Sequence, residues 1–590
     1  MRVSRSRVLR WAPPHPSWNR TRVAGLHDLP FRRHAPIPEI PVLRRIPGHI
    51  RRFSSSVPSR SMLDADSTIY ALSTAPGRAA IAVVRVSGPA CVSIYKALCR
   101  RAPLPKPRFA ALRTLYDPEQ PASANSVLDA GALVLYFPGP KTVTGEDVLE
   151  FHIHGGPAIV KAVLDAIART NHPDTVVRYA EPGEFTRRAF MNDRLGLPQI
   201  EALGDTLSAD TEQQRRLAVR GASDALLKRY ELWRQQLLYA RGELEALIDF
   251  SEDQHFDEST EELVSSVAAQ VRDLQVQIGF HIQNASRGEL LRNGIKVALL
   301  GAPNAGKSSL LNRIVGKEAA IVSTEEGTTR DIVDVGIDLG GWFCKLGDMA
   351  GIRAEAGNTG TIVGAVEKEG IRRARARALE SDVVVVVVSL EETPHGVRLF
   401  VEPEVLDAVN DCVKADKCLV IAVNKCDKLS PERNALPALT DSIRDIFPAV
   451  PTNRVFTISC NEAQRGSSPS EADPGRLQAF LRGLIATFEQ IASPLGMDGE
   501  QGQYNTSYWE DSLGVTHRQS SNLQKCLHHL DDFLSQATPS SESEFASIDG
   551  EVDIVTAAEH LRFAADMLAK ITGKGESGDV EDVLGVVFEK

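Results

Sequence analysis

Gly301-Ala302-Pro303-Asn304-Ala305-Gly306-Lys307-Ser308 puts two glycines, a lysine and a hydroxyl at the spacing of a phosphate cradle. The run Lys296 to Gly301 before it reads as a buried strand, and a helix is predicted from Ser309. In that setting successive backbone N–H groups face the phosphates, and the helix N-terminus adds a favourable dipole. Lys307 would supply charge to the β- and γ-phosphates, and the Ser308 hydroxyl would ligate Mg²⁺. Asn304, Ala305, Gly306 and Ser309 complete the loop. Three further pieces follow in order. Gly327-Thr328-Thr329-Arg330-Asp331 offers a threonine, assigned as Thr329, to finish the Mg²⁺ shell, with Thr328 beside it. Asp348-Met349-Ala350-Gly351 closes a predicted strand, with Asp348 behind the metal and the Gly351 N–H toward the γ-phosphate. Asn424-Lys425-Cys426-Asp427 follows the apolar strand Cys418 to Val423. A carboxylate there accepts both N1–H and N2–H₂ of guanine, and adenine offers no such pair. The predicted nucleotide is GTP. Ser459-Cys460-Asn461, after another strand, would finish the base pocket.

Ile352 stands where many GTPases carry a glutamine that orients the attacking water. An apolar side chain cannot do so, and the catalytic group is expected between Arg353 and Glu369. From the residues alone, Glu367 and Glu369 read as the solvated start of a helix running to Glu380. Arg372, Arg373, Arg375 and Arg377 read as a solvated face of the same helix.

These groups need elements to hold them. The 590 residues suffice for three or four domains. With 43% hydrophobic and 24% charged residues, composition excludes disordered and collagen-like classes. The longest apolar run, Val383 to Val388, is of strand length and far short of a membrane span. Eight scattered cysteines without a C-x-x-C pair argue against a disulfide framework or a structural zinc site, and for a reducing compartment. Residues 1–62 hold 13 arginines, no lysine, and only Asp28 and Glu39 as acids. Such a segment reads as a transit peptide, with Arg51-Arg52-Phe53-Ser54 resembling a matrix-processing site. The alternative is a basic arm for nucleic acid or anionic lipid. Beyond it the chain is strongly acidic, which argues against broad, unaided affinity for a polyphosphate backbone.

Strands are predicted at Thr68–Leu72, 80–86, 132–137 and 148–153, and a helix at 158–168. Long helices are predicted from Leu203 to about Ile248 and over 262–292. An alternating α/β module follows to about Ser493. Helix returns over 523–568, broken by a polar loop at 538–544. Helical stretches on both sides of the module suggest that it is inserted into a helical domain. The expected boundaries are a leader at 1–62, an N-terminal α/β domain at 63–200, helical halves at 201–294 and 494–590, and the module at 295–493.

The chain resembles the tRNA-modifying GTPases called MnmE or TrmE, in their mitochondrial form. The resemblance rests on Ala75-Pro-Gly-Arg78, Pro138-Gly-Pro140, Thr144-Gly-Glu-Asp-Val-Leu-Glu150, His154-Gly-Gly-Pro157, Glu181-Pro-Gly-Glu-Phe-Thr186, Arg188-Ala-Phe190 and the nucleotide motifs. It implies a multidomain α/β plus α fold: a folate-binding N-terminal domain that forms a homodimer, a helical domain, and an inserted Ras-like P-loop GTPase domain. It implies 5-formyltetrahydrofolate on Arg85, Glu150 and Arg194, the last a lysine in the bacterial pattern. It implies K⁺ on Asn304, Ser323, Glu325 and Thr328, supplying charge that an arginine finger gives elsewhere. Glu367, in Val366-Glu367-Lys368-x-Gly370-Ile371, falls on the family's water-activating glutamate. The implied substrate is the wobble uridine of certain tRNAs, given a C5 carboxymethylaminomethyl-type group with a flavin- and NADH-dependent partner of the MnmG/GidA kind. The competing reading of the nucleotide motifs is a ribosome-assembly or translation switch. The blocks at 144–157 and 181–190 discriminate, because assembly factors lack them. Met349 replaces a threonine common in the family without touching the two groups that act. The family ends in F-C-x-G-K, whereas this sequence ends Phe588-Glu589-Lys590. That is expected to mean either a truncated gene model or a GTPase without its modification cysteine.

Overall fold

A computed structural model describes residues 67–170, 176–250, 260–315, 319–324, 335–347, 363–393, 396–429, 435–465, 473–494, 506–537 and 553–573. The leader, the loop at 538–544 and the C-terminal motif region lie outside them.

Six strands form the first sheet: β1 (Thr68–Leu72), β2 (Ile81–Ser87), β3 (Ala111–Tyr116), β4 (Val127–Phe137), β5 (Val148–His154) and β6 (Val177–Tyr179). Their spatial order is β3-β4-β5-β2-β1-β6. Pairings are antiparallel except β1 with β6. Along β2, Ala82, Val84 and Val86 are buried while Val83 and Arg85 are half-exposed, the period of two that a one-sided sheet requires. The buried face packs on helices Cys91–Leu98 and Pro157–Ala168. Short β6 and the β3 edge escape a sequence reading: β6 has only three residues, and β3 buries only Leu115 and shifts register against β4, so no alternation shows.

The helices expected from 203 to about 248 are Leu197–Ser208, Glu212–Gly221 and Asp224–Phe250. The first break is a capping box: the Thr211 hydroxyl accepts from the Gln214 N–H, and the Gln214 side chain accepts from the Thr211 N–H. Neither Thr211 nor Gln214 interrupts the apolar periodicity, so the pattern hides the stop. The boundary drawn at 200 also falls inside helix Leu197–Ser208. Glu201 there is bonded to Arg518 and Gln519, which ties this helix to the far end of the chain. Helices Asp224–Phe250 and Thr260–Asn293 share one core with His517–Ala537 and Ile554–Thr572 through Tyr230, Trp233, Leu237, Leu530, Phe533 and Leu561. The α/β module is thus spliced between two halves of a single apolar core.

Within the module lie β7 (Ile295–Leu300), β8 (Ala320–Thr324), β9 (Val335–Leu339), β10 (Trp342–Leu346), β11 (Val383–Thr393), β12 (Gly396–Phe400), β13 (Cys418–Asn424) and β14 (Val455–Thr457). The order is β14-β13-β11-β7-β10-β9-β8, with β12 on β11. From β14 to β10 the strands are parallel. The six consecutive valines of β11 follow from that position. Val383, Val385 and Val387 enter the core on one face, and Val384, Val386 and Val388 that on the other.

Candidate functional site

A parallel sheet delivers its loops to one edge, the carboxyl ends of its strands, and ligands bind there. The 301–306 loop leaves β7, the 424–427 loop leaves β13, and residues 459–461 follow β14. Sequence-distant motifs are therefore neighbours.

The loop is shaped by what cannot be replaced. Gly306 has φ +98, and a Cβ there would lie 2.0 Å from the Asn424 amide nitrogen. A Cβ on Gly301 would lie 2.2 Å from the Val387 carbonyl oxygen. Exposed Asn304 holds φ 63, a left-handed conformation to which asparagine is better suited than most residues. Helix Lys307–Arg313 begins at the lysine, two residues before the predicted Ser309. The Lys307 ammonium donates to the carbonyls of Gly301 and Ala302 at 2.8 Å each. It stands over the cradle, where an incoming phosphate would compete for it. Ser308 is half-buried and Ser309 exposed on the first turn.

Asn424 joins the cradle to the base side. Its Nδ2 donates to the Ala305 carbonyl at 2.9 Å, and its Oδ1 accepts from the Cys460 N–H at 3.2 Å. Buried to 3% exposure, it has both ends of its amide satisfied. Asp427 is exposed, yet its carboxylate is held by the Ser459 hydroxyl at 2.7 Å and the Asn461 amide at 3.3 Å. Lys425 between them takes φ 64. Burial pushes the Cys426 and Cys460 thiols up to about 11, so both stay protonated. Cys460 serves through its backbone. The structure thus brings together Asn304 to Ser309, Asn424, Lys425, Asp427, Ser459, Cys460 and Asn461. It refines the roles of the last three, which position Asn424 and Asp427.

Glu325, Thr328, Thr329, Asp348 and Gly351 lie outside the described residues. Ser323 sits on β8 and Glu367 on helix Val363–Glu380, with side chains outside the description. Of the arginine face on that helix, Arg375 pairs with Asp411, a structural role.

In the N-terminal sheet Arg85 and Glu150 are direct cross-strand partners on β2 and β5, with the guanidinium 2.9 Å from the carboxylate. Phe185 lies under the same guanidinium at 5.8 Å. Arg194 donates to the Thr142 carbonyl at 3.0 Å, on the loop leading into β5. These groups present a charged pair and a guanidinium on neighbouring elements. Sequence reasoning missed what the same blocks do internally. Arg188, 8% exposed, donates to Glu146, Glu184 and the Ser67 carbonyl, while Glu146 also accepts from Ser87. Burial alone would raise the Glu184 carboxyl, but the bonds from Arg178 and the Glu181 N–H, with Arg188 beside them, hold it below the ordinary range. Glu184 and Arg188, one turn apart on a short helix, were the available signal; nothing in their spacing says they face inward.

Comparison with known proteins agrees in both regions. Residues 68–194 match the family model of the GTP-binding protein TrmE N-terminus, and 197–590 that of the MnmE helical domain. The chain is 35% identical over 92% of its length to "tRNA modification GTPase mss1, mitochondrial" of Schizosaccharomyces pombe, of which 96% is covered. It is 35% identical over 88% to the human "5-taurinomethyluridine-[tRNA] synthase subunit GTPB3, mitochondrial", 92% of which is covered. It is 44% identical over 88% to "tRNA modification GTPase MnmE" of Caulobacter vibrioides, 98% of which is covered.

Proposed function

This chain belongs to the MnmE/TrmE family of tRNA modification GTPases, and from that premise we propose that it hydrolyses GTP in the mitochondrion to drive modification of a tRNA wobble uridine. The observation that carries the guanine part is Asp427, exposed at the sheet edge but fixed by Ser459 and Asn461. A carboxylate held in that way can accept two N–H groups of a base without first being ordered. Asn424 locks the same loop to the cradle, so base recognition and phosphate binding are positioned as one unit.

In this reading Lys307 leaves the Gly301 and Ala302 carbonyls for the β- and γ-phosphate oxygens, and the loop N–H groups take the rest of the charge. Ser308 and Thr329 would hold Mg²⁺, with Asp348 behind it and the Gly351 N–H on the γ-phosphate. Asn304, Ser323, Glu325 and Thr328 would hold K⁺; both ions supply positive charge to the transferring group. Glu367 takes the proton from the attacking water, in place of the side chain that Ile352 cannot provide. Arg85, Glu150 and Arg194 would bind 5-formyltetrahydrofolate, the one-carbon donor, in a homodimer. The tRNA is modified at C5 with the flavin- and NADH-dependent partner; the human relative's name, taurinomethyluridine synthase subunit, supports an aminomethyl-type group.

The test uses Schizosaccharomyces pombe cells lacking their own relative. Mass spectrometry of mitochondrial tRNA nucleosides should show the modified uridine restored by the wild-type gene and absent with Glu367→Ala. Equal restoration by both would overturn the coupling of GTP hydrolysis to modification, and restoration by neither would overturn the uridine-modification reading itself.

A further inference from the structure

Helices His517–Ala537 and Ile554–Thr572 pack side by side, and at one place along them three metal-binding side chains meet. His529 and Asp532 lie one turn apart on the first helix, and His560 faces them from the second. One donor atom from each lies within 4.8 Å of the other two. Two details suit an ion better than a hydrogen-bonded cluster. His560 Nδ1 and the nearer Asp532 oxygen are 3.8 Å apart, too long for a hydrogen bond. With metal–ligand bonds of about 2.0–2.2 Å, two ligands on one tetrahedral ion sit roughly 3.3–3.5 Å apart. In addition, Nδ1 of His529 and Nδ1 of His560 are both shut off from solvent without a hydrogen-bond partner.

The other side of His560 is already held. Gln536, one turn beyond Asp532, lies 3.2 Å from His560 Nε2, and its own oxygen is a buried atom without a partner. Turning that amide over lets the oxygen accept from Nε2–H and leaves Nδ1 as the lone-pair donor toward Asp532. Metal-bound histidines commonly have such a second partner, which fixes ring orientation and tautomer. We propose that His529, Asp532 and His560 form a binding site for a divalent transition-metal ion, with zinc the best fit, that clips the two C-terminal helices together. Two imidazoles and one carboxylate suit zinc or iron(II) and disfavour Mg²⁺ or Ca²⁺, which take oxygen ligands. Partial exposure of all three residues leaves room for water at the remaining position.

The full chain, stripped with chelator and kept in excess Mg²⁺, is titrated with zinc chloride by calorimetry and by thermal unfolding. Wild type should bind one equivalent and melt at a higher temperature with zinc than without. His529→Gln and His560→Gln should each weaken zinc binding at least tenfold and remove the zinc-dependent shift. His517→Gln, altering an exposed histidine at the start of the first helix, should keep both. Should a histidine variant fail to fold, cobalt(II) added to stripped wild type still decides, because a four-coordinate site with two imidazoles and a carboxylate gives a visible ligand-field band far stronger and at longer wavelength than the weak band of the aquo ion. Absence of stoichiometric binding, equal binding by all variants, or a cobalt spectrum like the free ion would each overturn the proposal.

Discussion

The N-terminal sheet and the nucleotide module both carry dense polar motifs, but they use them in opposite ways. Around Arg188 the charged residues turn inward, and each satisfies another: Glu146, Glu184, Ser67 and Ser87 close a network with little exposure. At the sheet edge of the module, Ser459, Asn461 and Asn424 spend their bonds on holding a carboxylate and a loop that face outward. The lesson is that a block of polar residues identifies a family without telling which members touch the ligand. Only where the bonds lead does that.

The contrast makes distinct demands on substitution. The largest effect is expected on the chemistry of the module: Glu367→Ala should cut GTP turnover by about 10²–10⁴, the range for a lost general base, with nucleotide affinity nearly unchanged. Stopped-flow binding beside steady-state hydrolysis separates the two. Replacing K⁺ by Na⁺ should slow the same step. Next comes Arg188→Met, which removes the charged partner of Glu146 and leaves Glu184 with Arg178 alone. Breaking a buried pair from one side costs about 3–5 kcal/mol. Thermal unfolding should show a less stable N-terminal domain, while the preference among nucleotides stays as in wild type. If the preference moved instead, the division between inward and outward motifs would fail.

The smallest effect is one of pH. The Glu184 carboxyl titrates below its ordinary range in the folded protein, so its contribution is fully present above about pH 4.3, the unfolded glutamate value. It is lost as the pH falls through the lowered folded value. The melting-temperature gap between wild type and Glu184→Gln should therefore narrow on acidification below that point. A constant gap would mean that the network does not depend on the charge.

Much of this was legible in the sequence because it rests on local pattern. The phosphate loop needs two glycines where side chains would strike Asn424 and Val387, and those glycines are written plainly. The valine run of β11 announces a strand buried on both faces. What escaped was set by contacts between distant residues. The break at Thr211 depends on Gln214 folding back as a cap. The tie between helix Leu197–Ser208 and the far end of the chain is not readable either, because Glu201 answers to Arg518, more than three hundred residues away. Ser459 and Asn461 were found by motif, but that their side chains hold the Asp427 carboxylate follows only from the geometry.

The central claim is that Asp427, held ready by its two neighbours, selects guanine. The direct measurement is kcat/KM for GTP and for xanthosine triphosphate in wild type and Asp427→Asn, at one K⁺ concentration. Losing a charged acceptor for the base should lower the GTP value about a hundredfold. The xanthosine value should rise, since the new amide donor matches the xanthine carbonyl, and the order of preference should invert. An unchanged preference for GTP in the variant would contradict the account.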